Sequence, residues 1–245
     1  MPLLEVQGLS KHFGGLVAND RIDLRVDKGE IVGLIGPNGA GKTTLFNCIA
    51  GFYPPTAGNV QFKGEDITGL PANEICLRGI ARTFQIVRIF KDMSVLDNVM
   101  VGAFSRTNSA ARAKQRALEV LDFCGLAAKK SLLAGGLTIA DKKRLEFTKA
   151  LATDPSLLML DEAIAGLNQT ETAEAVELVK KVRESGITVL LVEHVMEVVM
   201  PISSRVVVLE YGKKIAEDSP EKVIHNEEVI KAYLGDKYHA SRRAH

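Results

Sequence analysis

Gly36-Pro37-Asn38-Gly39-Ala40-Gly41-Lys42-Thr43 reads G-x-x-x-x-G-K-[ST], the pattern of a phosphate-binding loop. An apolar strand, Ile31-Val32-Gly33-Leu34-Ile35, leads into it, and Thr44-Leu45-Phe46-Asn47-Cys48-Ile49-Ala50 leads out as a helix. The motif needs that strand–loop–helix context. Glycines let backbone N–H groups turn inward around an anion, and a helix N-terminus adds partial positive charge at the same point. In this pattern Lys42 reaches the β- and γ-phosphates and the Thr43 hydroxyl ligates Mg²⁺.

Working outward, Leu3 to Val6, Ile22 to Val26 and Asn59 to Lys63 read as strands of a small antiparallel sheet, interrupted at Phe13-Gly14-Gly15 and Asp27-Lys28-Gly29. From about 72 to 153 the pattern turns helical; Ala110 to Cys124 ends at Gly125, and Phe147, Ala150 and Leu151 share a helical face. Leu157 to Leu160 is apolar on both faces, as in a central parallel strand. A helix at about 171–185 follows, with an apolar stripe of Ala175, Leu178, Val179 and Val182, a Glu177–Lys181 pair and a stop at Gly186. Thr188 to Val192, Val206 to Leu209 and Lys214-Ile215 complete the strands, and one helix spans roughly 220–234. The order predicts one α/β core with a helical lobe between the phosphate loop and the acidic strand.

The 245 residues suffice for a core without disulfide or metal staples. Cys48, Cys76 and Cys124 are sparse and unpaired in sequence, as in a reduced cytosolic protein. A net charge of +1 gives no electrostatic case for nucleic acid. No apolar run approaches the ~18 residues that span a bilayer, and no signal peptide is visible, so membrane association is expected only through a partner.

Asp161-Glu162 closes the apolar strand. An aspartate there holds Mg²⁺, directly or through water, and Glu162 beside it can polarise an attacking water. Gln85, in Arg82-Thr83-Phe84-Gln85, offers both donor and acceptor to a metal and a water. His194, just beyond the strand 188–192, can donate to a γ-phosphate oxygen. Phe13 reads either as a stacking surface for adenine or as a core residue.

Phe13, the phosphate loop, Gln85, Leu137 to Glu146, Asp161-Glu162, Ala165-Gly166-Leu167-Asn168 and His194, in that order, resemble the nucleotide-binding subunit of ABC transporters. Phe13-Gly14-Gly15-Leu16, Phe46-Asn47-Cys48-Ile49, Gly51-Phe52-Tyr53, Val192-Glu193-His194 with Met196, and Ala232-Tyr233-Leu234-Gly235 resemble the ATP-binding subunits of branched-chain amino-acid importers more closely. The resemblance runs from about residue 3 to 235. It implies a P-loop NTPase cassette with a RecA-like mixed-sheet core, an N-terminal antiparallel β-subdomain and a helical subdomain. As boundaries it implies a core of 1–71 with 154–235, a helical part at about 72–153 and a flexible tail at 236–245.

It also implies function. ATP and Mg²⁺ would bind through Phe13, Val17, Gly36, Pro37, Asn38, Gly39, Ala40, Gly41, Lys42, Thr43 and Thr44, with Thr43, Gln85 and Asp161 on the metal. Glu162, His194, Gln85 and Lys42 would act in hydrolysis. Thr138 and Ala140 would serve the ATP of a second cassette, either a different chain or a copy of this one. Two transmembrane permeases would dock at about 86–93, with Ile89 and Phe90 as contacts, and a solute-binding protein would act indirectly, at the cytoplasmic face of the inner membrane. Related cassettes serve urea, amides, aromatic acids or lipopolysaccharide export, and soluble ABC ATPases form a further class.

The chain departs from the family pattern at three places. Leu137-Thr138-Ile139-Ala140-Asp141 stands where Leu-Ser-Gly-Gly-Gln is usual. Ala140 offers its N–H only if its φ is negative, and Asp141 is unfavourable near an anion unless it caps the helix. Ala163 replaces a proline that would fix the turn after Glu162. Asn168 replaces a common aspartate.

Overall fold

The computed structural model describes residues 2–234. They divide into two compact units, one formed by the chain up to Leu70 and from Leu190 onward, the other by Pro71–Val189. The tail expected at 236–245 lies outside the described residues.

In chain order the first unit opens with β1 (Leu4–Phe13), β2 (Leu16–Val26), β3 (Ile31–Ile35), α1 (Lys42–Ile49), β4 (Ala57–Phe62) and β5 (Glu65–Asp66). The second unit carries α2 (Ala72–Arg78), β6 (Ile80–Arg82), α3 (Val95–Ala103), α4 (Ala110–Phe123), α5 (Ile139–Leu151), β7 (Leu157–Asp161) and α6 (Gln169–Glu184). Strand β8 (Thr188–Val192) runs through the division point. The first unit resumes with α7 (Met196–Ile202), β9 (Arg205–Glu210), β10 (Lys213–Asp218), α8 (Pro220–Val223) and α9 (Glu227–Leu234).

In the first unit β2, β1, β4 and β5 form an antiparallel sheet in that order. The β1–β2 hairpin closes from Phe13 to Leu16, with Gly14 at φ +56, a conformation a two-residue turn requires. A second, mixed set pairs β3 parallel to β9 and β9 antiparallel to β10. Every residue of β3 is buried, as are Val206 to Leu209 of β9, which is why neither strand alternates polar and apolar residues.

In the second unit β6 and β7 pair in parallel, bringing Arg82 level with Met159. The helices pack around small side chains: Ala113, Ala117 and Leu121 of α4 face Val95 and Val99 of α3 and Leu145 of α5 in one buried cluster. That i, i+4, i+8 spacing is an amphipathic stripe. Ser94 caps α3 by accepting from the Asp97 N–H. Asn98, fully buried, accepts from the Phe90 N–H at 2.8 Å and donates to the Phe90 and Ser94 carbonyls at 2.9 Å each. Its polar atoms thereby pin the strip 86–93 to α3.

Two local expectations are corrected. Glu177 pairs with Lys180 at 2.8 Å, one residue short of Lys181, because the i,i+3 lysine on the exposed side of α6 reaches it. The segment 220–234 is two helices, not one. The break lies at His225-Asn226, where the Asn226 side chain accepts from the Glu228 and Val229 N–H groups and starts α9 afresh. Within the α6 stripe Val179 and Val182 are buried, while Ala175 and Leu178 are half-buried.

Candidate functional site

In the first unit the phosphate loop is a cradle of backbone. Gly36 has φ +148 and Gly41 φ +97; a Cβ on Gly36 would stand 2.1 Å from the Leu209 carbonyl oxygen, and one on Gly41 2.4 Å from that of Ala18. Both positions therefore demand glycine twice over, for conformation and for space. Among the described residues no side chain caps the start of α1, and its first turn carries no acidic residue. Its N-terminal N–H groups and the helix dipole are thus suited to an anion such as a nucleotide phosphate. Lys42, 5% exposed, folds its ammonium back to donate to the Gly36 and Pro37 carbonyls at 2.7 and 2.9 Å. Thr43 is exposed and Thr44 half-buried on the first turn.

Three braces hold the loop. Asn19 Nδ2 donates to the Gly41 carbonyl at 3.2 Å, and the Gly212 N–H donates to the Ala40 carbonyl at 3.1 Å. The Tyr233 hydroxyl is hydrogen-bonded to the Gly36 backbone; burial pushes its pKa up to about 12, and that bond opposes part of the rise. Phe13 is 41% exposed, so it is no core phenylalanine. Its ring meets Tyr53 edge-on at 5.3 Å, and the Lys11 ammonium stands 5.0 Å from the Phe13 ring centre. Val17 is exposed near the end of the same hairpin. His194 is exposed in the turn between β8 and α7.

In the second unit β7 delivers Asp161, fully buried, and Glu162, which takes φ +51. A left-handed non-glycine residue at a strand end is a conformation that the surroundings must enforce. Arg82 Nη2 pairs with Asp161 Oδ2 at 2.7 Å, both side chains being nearly inaccessible. The Thr83 hydroxyl accepts from the Asp161 N–H at 3.2 Å. Gln85 Nε2 donates to Glu162 Oε2 at 2.9 Å, and Lys143 Nζ, on α5, donates to the Glu162 and Ala165 carbonyls at 3.0 and 2.5 Å. Asn168 and Glu171 form a capping box that starts α6.

The altered signature resolves into an ordinary helix start. Thr138 is the N-cap of α5 and its Oγ1 accepts from the Asp141 N–H at 3.1 Å. Asp141 in turn accepts from the Thr138 hydroxyl at 3.1 Å and pairs with Lys129 at 2.5 Å. Its carboxylate is therefore turned to the cap and matched by a cation. Ala140 lies inside α5 and is not among the residues of positive φ, so its N–H has the helical orientation. Further along α5, Glu146 is buried and accepts from the Arg88 N–H at 2.8 Å; burial raises its pKa despite backbone hydrogen bonds from Arg88 and Phe84. In the strip 86–93, Ile86 and Phe90 are exposed (80% and 47%), whereas Ile89 packs against the helical cluster. The expectation of Ile89 as an outward contact is thus corrected: the outward apolar pair is Ile86 and Phe90.

Sequence reasoning singled out neither Arg82 nor Lys143 nor Lys129 for a role. Each is a basic residue whose acidic or carbonyl partner is distant in sequence, or reached only across a helix–loop contact. Among the described residues no group of three or more His, Cys, Asp or Glu side chains stands together. Thr43 in the first unit, and Gln85 and Asp161 in the second, each carry a hard oxygen donor of the kind Mg²⁺ takes.

The model of the ABC transporter family matches residues 19–165, and that of the branched-chain amino acid ATP-binding cassette transporters matches 213–239. The chain is 43% identical to the high-affinity branched-chain amino acid transport ATP-binding protein BraF of Pseudomonas aeruginosa, covering 96% of this chain and 98% of that one. It is equally similar, with the same coverage, to LivG of Escherichia coli K12, which carries the same description. Among solved structures, the ADP conformation of an ATP-binding cassette of an ABC transporter superimposes with a TM-score of 0.88 at 31% identity, covering 96% of this chain and all of that one. Relatives matched nearly end to end, with a family model over most of the chain, show that the chain belongs to the ABC transporter family as an ATP-binding, ATP-hydrolysing subunit.

Proposed function

We propose that this chain hydrolyses ATP to drive uptake of branched-chain or other hydrophobic amino acids through partner permeases. The observation that carries the reading is likeness over nearly the whole chain to relatives named for that transport, reinforced by the C-terminal match at 213–239.

For the chemistry, Glu162 is the group that orients water for in-line attack, and the hydrogen bond from Gln85 fixes its carboxylate. Lys42 and the N–H groups from Gly39 to Thr44 bind the phosphates once the ammonium exchanges the Gly36 and Pro37 carbonyls for phosphate oxygens. His194 donates to the γ-phosphate, and Phe13 and Val17 offer an apolar face to the base. Thr43, Gln85 and Asp161 are the residues for Mg²⁺, which when bound neutralises phosphate charge. The start of α5, with Thr138 and Ala140, serves the nucleotide of a second cassette, either a different chain or another copy. Nucleotide held between two cassettes closes the pair because it has greater affinity for the closed state. Permeases dock at the strip 86–93 through Ile86 and Phe90 at the cytoplasmic face of the inner membrane, and a solute-binding protein acts on them from the other side. No helix among the described residues is long and apolar enough to cross a membrane.

The test is purification of the tagged chain from gently solubilised membranes, followed by uptake of labelled leucine, isoleucine and valine into proteoliposomes of the recovered complex. ATP-dependent uptake that Glu162→Gln abolishes, with ATP binding retained, is the expected result. Recovery without permeases, or a complex that hydrolyses ATP but moves a different solute, would overturn the amino-acid assignment.

A further inference from the structure

We propose that Lys143 is a positioning residue for Glu162, and that through it the start of α5 and the acidic turn behave as one mechanical piece. The inference rests on the proposed role of Glu162. The turn from Glu162 to Ala165 has an unusual need for restraint. Glu162 sits at φ +51 without being glycine, and Ala163 after it has no ring to fix its φ. The Lys143 ammonium donates to the carbonyls at both ends of that turn, Glu162 at 3.0 Å and Ala165 at 2.5 Å. Those two bonds hold the peptide units on either side of Ala163-Ile164 and so set where the Glu162 Cα–Cβ bond points.

Gln85 supplies the complementary restraint, donating to Glu162 Oε2 at 2.9 Å. The backbone is thus fixed from α5 and the carboxylate from the strip after β6. Removing either leaves the other insufficient, because a carboxylate on a mobile backbone and an unanchored carboxylate on a rigid backbone both sample many orientations. Lys143 lies five residues after Thr138 on the same helix. Any displacement of the start of α5 is therefore transmitted by a short, charge-assisted link to the backbone of Glu162.

The experiment measures ATP hydrolysis by the full-length chain and four variants: Lys143→Met, Lys143→Arg, Glu162→Gln and Lys143→Met/Glu162→Gln. Lys143→Met is expected to lower kcat about 10- to 100-fold, with KM for ATP and the thermal midpoint unchanged, since misplacement of a catalytic group by about 1 Å costs of this order. Lys143→Arg, which keeps a cation with several N–H donors, should recover kcat to within a few fold. Lys143→Met should add no further loss on top of Glu162→Gln, because both act through one carboxylate. Parent-like hydrolysis by Lys143→Met overturns the proposal. So does an equal fold-loss in the Glu162→Gln background, or a lowered midpoint that Lys143→Arg does not restore. If Glu162→Gln alone hydrolyses at the parent rate, the underlying reading of Glu162 fails instead, and that result is seen without any change at Lys143.

Discussion

Arg82→Met is the most revealing single change to the acidic strand end. Arg82 and Asp161 stand 2.7 Å apart with side chains 8% and 1% exposed, so water screens them little. At an effective dielectric near 20 the bare attraction at this separation is about 6 kcal/mol, most of it offset by the desolvation of the two ions. What the pair contributes net is therefore modest, but deleting one member leaves the cost of the other. For a buried pair that cost is about 3–5 kcal/mol. Arg82→Met also removes the bond from Arg82 Nε to the Thr83 carbonyl and the stacking of the guanidinium 5.3 Å from the Phe84 ring centre, while roughly preserving side-chain length. Against a total stability of about 5–15 kcal/mol, the loss is a large fraction. The assay is urea unfolding of the nucleotide-free chain followed by circular dichroism. With a slope of about 3 kcal/mol per molar, the midpoint should fall by about 1–1.7 M. Arg82→Met/Asp161→Asn should lose less than Arg82→Met alone, because the buried charge has gone as well. A fall in midpoint under about 0.3 M for Arg82→Met, corresponding to about 1 kcal/mol, would refute the reasoning, since the pair would then behave like a surface one.

Other perturbations have equally definite outcomes. Glu146 has a raised pKa from burial, so its ionised form costs stability: the favourable contribution is present below the ordinary carboxylate pKa and is lost as pH rises through the folded value. The stability of Glu146→Gln relative to the parent should therefore increase from pH 4 to pH 7 in urea titrations, and a gap independent of pH would contradict this. Burial pushes the Cys48 and Cys124 thiols up to about 11, so brief alkylation at pH 7.5 followed by mass spectrometry should label half-buried Cys76 and leave both unmodified. Thr138→Ala removes the cap of α5 and should cost about 1 kcal/mol in the same unfolding assay. Ile86→Asp with Phe90→Asp should leave folding and ATP binding intact but prevent recovery of permeases, whereas Ile89→Asp should lower the unfolding midpoint because it places a charge against the helical cluster.

The parts legible in the sequence were those governed by short-range rules. The glycines of the phosphate loop and the doubly buried strands β3 and β7 announce themselves within ten residues, because φ requirements and two-faced burial leave local signatures. The ends of α4 and β7 were readable for the same reason. What escaped were pairings decided by packing. Arg82 could be seen beside Gln85, but not that its side chain would reach across to Asp161. The basic run Lys142-Lys143-Arg144 gave no sign which of its members would turn inward, and only the rotation of α5 sends Lys143 to the acidic turn while Arg144 meets Glu174. Ile89 looked like Ile86 by hydropathy; Asn98 and the α3–α5 packing decide that one is core and the other surface. Asp141 looked like a liability until Lys129 and the cap placed its charge.

The braces on the phosphate loop have a consequence for how the chain is made. The loop lies within the first forty-odd residues, yet β9 pairs with the strand that precedes it, Gly212 bonds to Ala40 and Tyr233 to Gly36. During synthesis, at about 5–20 residues per second, the loop emerges many seconds before these supports exist. A nascent chain therefore carries the phosphate-binding sequence without these later supports until the segments holding β9, Gly212 and Tyr233 leave the ribosome. Nucleotide binding is then a late event in biogenesis, one that waits on β9, Gly212 and Tyr233.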